Sequence, residues 1–176
     1  GFAAGSNRQP VLKVTGALDV VGTGTIASTM YPVIFVDGEG CLLVGDTATI
    51  RGTSECINMD STGYVSIVGG RVYSENGSAL YVTERSGDGC TINVYRGSLE
   101  SGGKSYTPVV SIYSPGTTFD MRGGSITGGI GIEVNASQAN VNIMGGEITA
   151  QMDGIYCLSG NTPIRVSGGT ITGGEY

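Results

Sequence analysis

The sequence predicts an all-β fold, a single-chain right-handed parallel β-helix with three short strands per coil and about 6–7 coils of 22–27 residues. Three observations predict it. A Gly-Gly-x-Ile corner recurs along the chain. Short apolar pairs with period two lie between the corners. Glycine is far too abundant, at 32 residues of 176, for helix interiors. The clear corners are Gly123-Gly124-Ser125-Ile126, Gly145-Gly146-Glu147-Ile148 and Gly168-Gly169-Thr170-Ile171. Gly69-Gly70-Arg71-Val72 is a fourth, Arg96-Gly97-Ser98-Leu99 a degenerate fifth, and Gly24-Thr25-Ile26 and Ala48-Thr49-Ile50 fall where further copies are due. The apolar residues of these corners stand at 26, 50, 72, 99, 126, 148 and 171, a spacing of 22 to 27 residues. A repeat of that length is the signature of a solenoid, in which each unit buries its apolar side against its neighbours.

Taken in order, the coils supply the same three inward segments. The first shows Leu18/Val20 and Ile26, and the second Ile34/Val36, Leu42/Val44 and Ile50. The third shows Ile57/Met59, Val65/Ile67 and Val72, and the fourth Leu80/Val82, Ile92/Val94 and Leu99. Val110/Ile112, Phe119/Met121 and Ile126 make the fifth, and Ile132/Val134, Val141/Ile143 and Ile148 the sixth. Ile155/Cys157, Ile164/Val166 and Ile171 close the series. The step into each glycine corner hardly varies: Val20 to Ile26 and Val44 to Ile50 differ by 6, and the later steps, such as Val166 to Ile171, by 5. A tight bend needs positive φ, or the absence of a Cβ beside the next coil, and glycine meets both needs. The other two corners vary, from 6 residues (Ile126 to Ile132) to 11 (Leu99 to Val110), so they carry the loops. The right-handed form follows the handedness rule for parallel crossings. Coils about 4.8 Å apart would make a prism on the order of 30 Å long.

The whole chain, 1–176, reads as one domain, with 1–10 outside the repeat as a leader or N-terminal cap. The net charge of −6 and the low share of charged residues, 14%, argue against a nucleic-acid partner, which wants a clustered basic face. No apolar run is long enough for a membrane span, so membrane insertion is not expected. No signal peptide is visible. After Ile171 the chain shows nothing amphipathic to cover the last coil. Tyr176 and its neighbours, a further domain, or association of two ends would have to close it.

The four cysteines lack a CxxC spacing, and no histidine accompanies them, so they read as free structural thiols. Cys157 falls at an inward position beside Ile155 and is expected to be buried. Cys41 and Cys90 lie about two coils apart, too far for a disulfide.

Candidate sites must lie on outward columns and inserted loops. One column reads Phe35, Asn58, Tyr81, Ser111, Glu133, Tyr156, and another Asp19, Leu43, Ser66, Asn93, Asp120, Asn142, Arg165. The longest loops, 83–90 and 101–108, leave different corners of consecutive coils, with Tyr81, Tyr106 and Tyr113 at or near them. Tyrosine rings among small polar groups suit a glycan, whose apolar sugar faces pack on them. The candidate ligand-binding residues are therefore Tyr81, Tyr106, Tyr113, Glu133 and Tyr156. No cofactor is expected. Asp37-Gly38-Glu39-Gly40, Asp88-Gly89 and Asp153-Gly154 resemble pieces of calcium loops, but turn formation explains Asp-Gly better. Without histidine there is no His-based triad. Within a column the acidic residues do not stack into the carboxylate pair that glycoside cleavage needs, which leaves a pair across adjacent columns as the remaining arrangement. Thr170-Ile171-Thr172 resembles an ice-binding row, yet Glu147, Glu100 and Arg71 interrupt the array.

With these residues in view, the chain resembles right-handed parallel β-helix proteins of the pectate-lyase type. More narrowly it resembles the Gly-Gly-x-Ile repeat regions of bacterial secreted and surface proteins. Residues 141–149 and 164–172 carry the likeness most clearly. The resemblance implies a fold and no catalytic residue. It implies an extracellular or cell-surface adhesin-like module that binds a glycan or a cell-surface protein. The alternatives are a polysaccharide lyase or hydrolase, and a passive stalk.

Overall fold

A computed structural model describes residues 9–60, 62–84 and 89–174. Most of the 1–10 leader, Asp88 and Tyr176 lie outside the described residues. The described chain forms three parallel sheets of seven strands each, wound as seven stacked turns. Sheet 1 contains β1 (Leu12–Val14), β4 (Ile34–Val36), β7 (Ile57–Met59), β10 (Leu80–Val82), β13 (Pro108–Ile112), β16 (Ile130–Val134) and β19 (Ile155–Cys157). Sheet 2 contains β2 (Ala17–Val20), β5 (Cys41–Val44), β8 (Tyr64–Ile67), β11 (Thr91–Val94), β14 (Thr118–Met121), β17 (Asn140–Ile143) and β20 (Ile164–Val166). Sheet 3 contains β3 (Thr25–Ser28), β6 (Thr49–Gly52), β9 (Arg71–Ser74), β12 (Ser98–Ser101), β15 (Ser125–Gly128), β18 (Glu147–Ala150) and β21 (Thr170–Thr172).

Register follows the apolar pattern. Val72 pairs with Leu99, Leu99 with Ile126, Ile126 with Ile148, and Ile148 with Ile171. Alternate residues face inward, so each strand contributes two ladder positions to a core that runs along the axis. Val72, Leu99, Ile126 and Ile148 are wholly buried. Each such side chain contributes roughly 1.5–3 kcal/mol by leaving water. A slip of one residue would turn every ladder outward, so this burial fixes the register.

The structure adds one strand that the pattern analysis leaves out. Leu12 and Val14 pair with Ile34 and Val36, which extends sheet 1 by a rung at its start. Only three residues separate Val14 from Leu18, so this corner is tighter than its later counterparts and the apolar pair merges with the next one.

The corner between sheets 2 and 3 uses its two glycines differently. The second takes positive φ, as at Gly70 (71°), Gly124 (78°) and Gly146 (87°). The first sits against the preceding coil: a Cβ on Gly123 would lie 2.4 Å from the Tyr95 carbonyl oxygen. Only a residue without a side chain allows that approach. On the next corner, after sheet 3, serines hold the loops. Ser74 Oγ accepts from Gly77 N at 2.9 Å, and Ser101 Oγ donates to the Gly77 carbonyl at 2.8 Å.

None of the four cysteines is in a disulfide among the described residues. Cys56 and Cys90 are buried, whereas Cys157 is exposed, contrary to its inward reading. Its register is as expected, opposite Val134, but it lies on the last rung of sheet 1 and only β16 covers it. The same one-sided cover leaves Ile164 and Val166 exposed. Among the described residues, no helix is long and apolar enough to cross a membrane.

Candidate functional site

The outer face of sheet 1 carries the expected column in the expected order. Lys13 pairs with Phe35, then Asn58, Tyr81, Ser111, Glu133 and Tyr156 follow, one per rung. Parallel pairing spaces these positions about 4.8 Å apart. Tyr113, just past the end of β13, joins them. Its ring centroid is 5.5 Å from that of Tyr81, with the planes inclined at 33°. Its hydroxyl donates to Glu133 Oε1, one rung further on. Ser111 lies beneath, almost wholly buried, with its hydroxyl 2.8 Å from that of Ser78. Ser78 in turn donates to the Pro108 carbonyl at 2.9 Å. Small Ser111 thus leaves room for two rings to lie across the sheet, and Tyr156 continues the strip, 40% exposed.

Tyr81, Tyr113, Glu133 and Tyr156 therefore form one surface. Tyr106 does not belong to it. It precedes β13 while Tyr113 follows it, and a five-residue strand at about 3.3 Å per residue puts roughly 17 Å between the two ends. Tyr106 is 60% exposed and borders a separate hollow of about 350 Å³ with Asn76, Lys104 and Thr107. Lys104 Nζ lies 5.6 Å from its ring centroid.

The electrostatics of the strip are one-sided. The Glu133 hydrogen bond, then burial, holds the Tyr113 hydroxyl well above the ordinary tyrosine range. Burial raises Tyr81 as well, followed by the charges of Glu55, Glu133 and Glu84. Glu55 and Glu84 were not among the candidates. Glu55 stands two residues before Ile57, just ahead of β7, and that position beside a strand start is the signal the sequence carries. Asn58 Oδ1, on the rung before Tyr81, is buried and has no donor among the described residues.

Another cleft lies elsewhere, at the glycine corner. It holds about 560 Å³ and is bordered by Asp46, Val68, Gly70, Arg71 and Arg96. Its best anion-binding group is already engaged. Arg71 Nε donates to Glu100 Oε1 at 2.9 Å and Nη2 to Oε2 at 2.5 Å, with the guanidinium 4.6 Å from the Tyr73 ring centroid. Such a two-pronged pair leaves no fork for a ligand carboxylate.

Of the calcium-like fragments, Asp37-Gly38-Glu39-Gly40 forms a turn and Asp153 bonds to the neighbouring coil. The Asp37 carboxylate meets Lys13 Nζ at 2.7 Å and its own neighbour Gly38 N at 3.0 Å. The Asp153 carbonyl accepts from Gly131 N at 2.9 Å. No group of three or more His, Cys, Asp or Glu among the described residues is placed to hold a metal ion.

These features define a β-solenoid with an aromatic and acidic strip along one sheet. Comparison with family models gives no match, and neither curated proteins nor solved structures give one.

Proposed function

We propose that this chain is a non-enzymatic, adhesin-like module of the right-handed pectate-lyase type, on a bacterial surface or secreted, that binds a glycan along the outer face of sheet 1. The observation that carries the reading is the strip itself. Tyr81 and Tyr113 lie on adjacent rungs with their rings 5.5 Å apart, Glu133 occupies the next rung and Tyr156 the one after, and the Tyr113 bond to Glu133 fixes one ring in place. An extended saccharide advances by about the height of one rung per sugar, so consecutive sugars meet consecutive positions. Rings held by packing lose little side-chain freedom on binding. A rigid solenoid face carries such a row without a deep pocket.

A glycan array followed by calorimetry on each hit tests this. Tyr81→Ala and Tyr156→Ala are each expected to weaken binding by roughly fivefold, about 1 kcal/mol of ring–sugar packing. The ligand should be recovered uncut. Unchanged affinity in both variants contradicts the assignment of this face, and release of new reducing or unsaturated ends contradicts the non-enzymatic reading.

A further inference from the structure

The two end faces of the stack complement each other. Rung one is β1–β3 and rung seven β19–β21, and each of these strands pairs on one side only. Such edges hold backbone donors and acceptors that a further strand can take up. On rung seven, Ile164 and Val166 follow the inward pattern yet are 37% and 56% exposed, whereas their mates Val141 and Ile143 are wholly buried. On rung one, Leu18 and Ile26 are half-buried, while their mates Leu42 and Ile50 are buried. Gly16 adds an independent sign. Its φ is not positive, and a Cβ there would meet nothing within 4 Å. Its mates Gly40 and Gly63 are crowded by the coil before them: a Cβ would fall 2.3 Å from the Val14 carbonyl oxygen and 2.9 Å from that of Gly40. Glycine at position 16 therefore suits a rung seated in front of rung one.

The charges say which rung fits there. Asp19 begins the outward column of sheet 2 and Arg165 ends it. Both are exposed, and neither is held in an ion pair among the described residues. Carrying the parallel register one step past rung seven sets Ile164 on Leu18, Arg165 on Asp19 and Val166 on Val20 of another copy, with Ile171 on Ile26. Apolar residues meet apolar ones, and the one cation of that column meets an anion. We infer that rung seven of one copy docks on rung one of a second copy of this chain, head to tail and in parallel register, with Arg165 paired to Asp19. The apolar ladders supply the contact, and the rim charges set its direction and register. The two patches differ, so the contact is heterologous; axial stacking does not close on itself, and the assembly grows as an open filament.

Sedimentation velocity of the intact chain over a concentration series, at ~50 mM salt, tests this. The mean mass is expected to rise continuously with concentration. Arg165→Glu and Asp19→Arg each place like charges across the contact and should weaken association about fivefold. The double variant Asp19→Arg/Arg165→Glu swaps the pair and should return it to within about twofold of the original. Both positions are exposed in the single chain, so circular dichroism should show every variant folded. A chain that stays monomeric up to ~100 μM overturns the inference and leaves these faces to a different partner. A mass that stops at two copies overturns the head-to-tail arrangement. Association that ignores both single variants, or that the double variant fails to restore, overturns the register.

Discussion

Gly70 and Gly22 both take positive φ, at 71° and 87°, but their surroundings differ. A Cβ on Gly70 would lie 2.5 Å from the Ala48 carbonyl oxygen, whereas Gly22 has nothing within 4 Å. Gly22→Ala should therefore cost only the left-handed conformation, about 1 kcal/mol, and Gly70→Ala that plus a backbone collision, ~2–4 kcal/mol. Urea unfolding of both variants measures the difference; equal losses would show that crowding by the preceding coil is not what fixes the glycine. Tyr113 gives a second residue-scale prediction. Its pKa is raised in the folded chain, chiefly by the hydrogen bond to Glu133. The folded state thus keeps the proton after the unfolded chain has lost it. The stability this contributes is complete below about pH 10 and is lost as pH climbs above that. Tyr113→Phe should flatten the alkaline fall in melting temperature above about pH 10; an unchanged slope would mean the Glu133 bond is absent in solution.

Among the elements, strands were the easiest to read, because a buried face imposes period two on Ile, Val and Leu. Every inward pair from Leu18/Val20 to Ile164/Val166 lies where its spacing puts it. Leu12/Val14 escaped because a three-residue gap runs it into the following strand. Cys157 shows a different limit: sequence gives which way a side chain points, while burial also depends on what lies above it. The site was partly legible for the same reason. Column membership of Tyr81, Glu133 and Tyr156 follows from register, but Tyr113 reaches its partner from beyond a strand end, and no periodicity announces that. The thiols turn these placements into a measurement. Burial pushes the Cys56 thiol up to about 12, and its sulfur donates to the Tyr73 carbonyl at 3.0 Å. Cys90 is also buried, while Cys41 and Cys157 are exposed. A thiol reagent at neutral pH should modify Cys41 and Cys157 quickly, and Cys56 and Cys90 only on unfolding. Rapid labelling of all four would contradict the stacked core.

For the whole molecule, the winding brings distant segments onto one line. Residues 58, 81, 111, 133 and 156 come from five different coils yet form a single column. The net charge of −6 is expressed locally there, through Glu55, Glu84 and Glu133 around Tyr81. The proposed glycan site depends on that column. It is tested most directly by a dipolar distance between nitroxides at Asn58→Cys and Tyr156→Cys, with Cys41 and Cys157 replaced by serine. Four rungs separate the labels, so the account predicts a narrow distribution near ~19 Å along the axis, broadened by the label arms. A broad distribution centred well beyond that distance would show that these strands do not lie above one another.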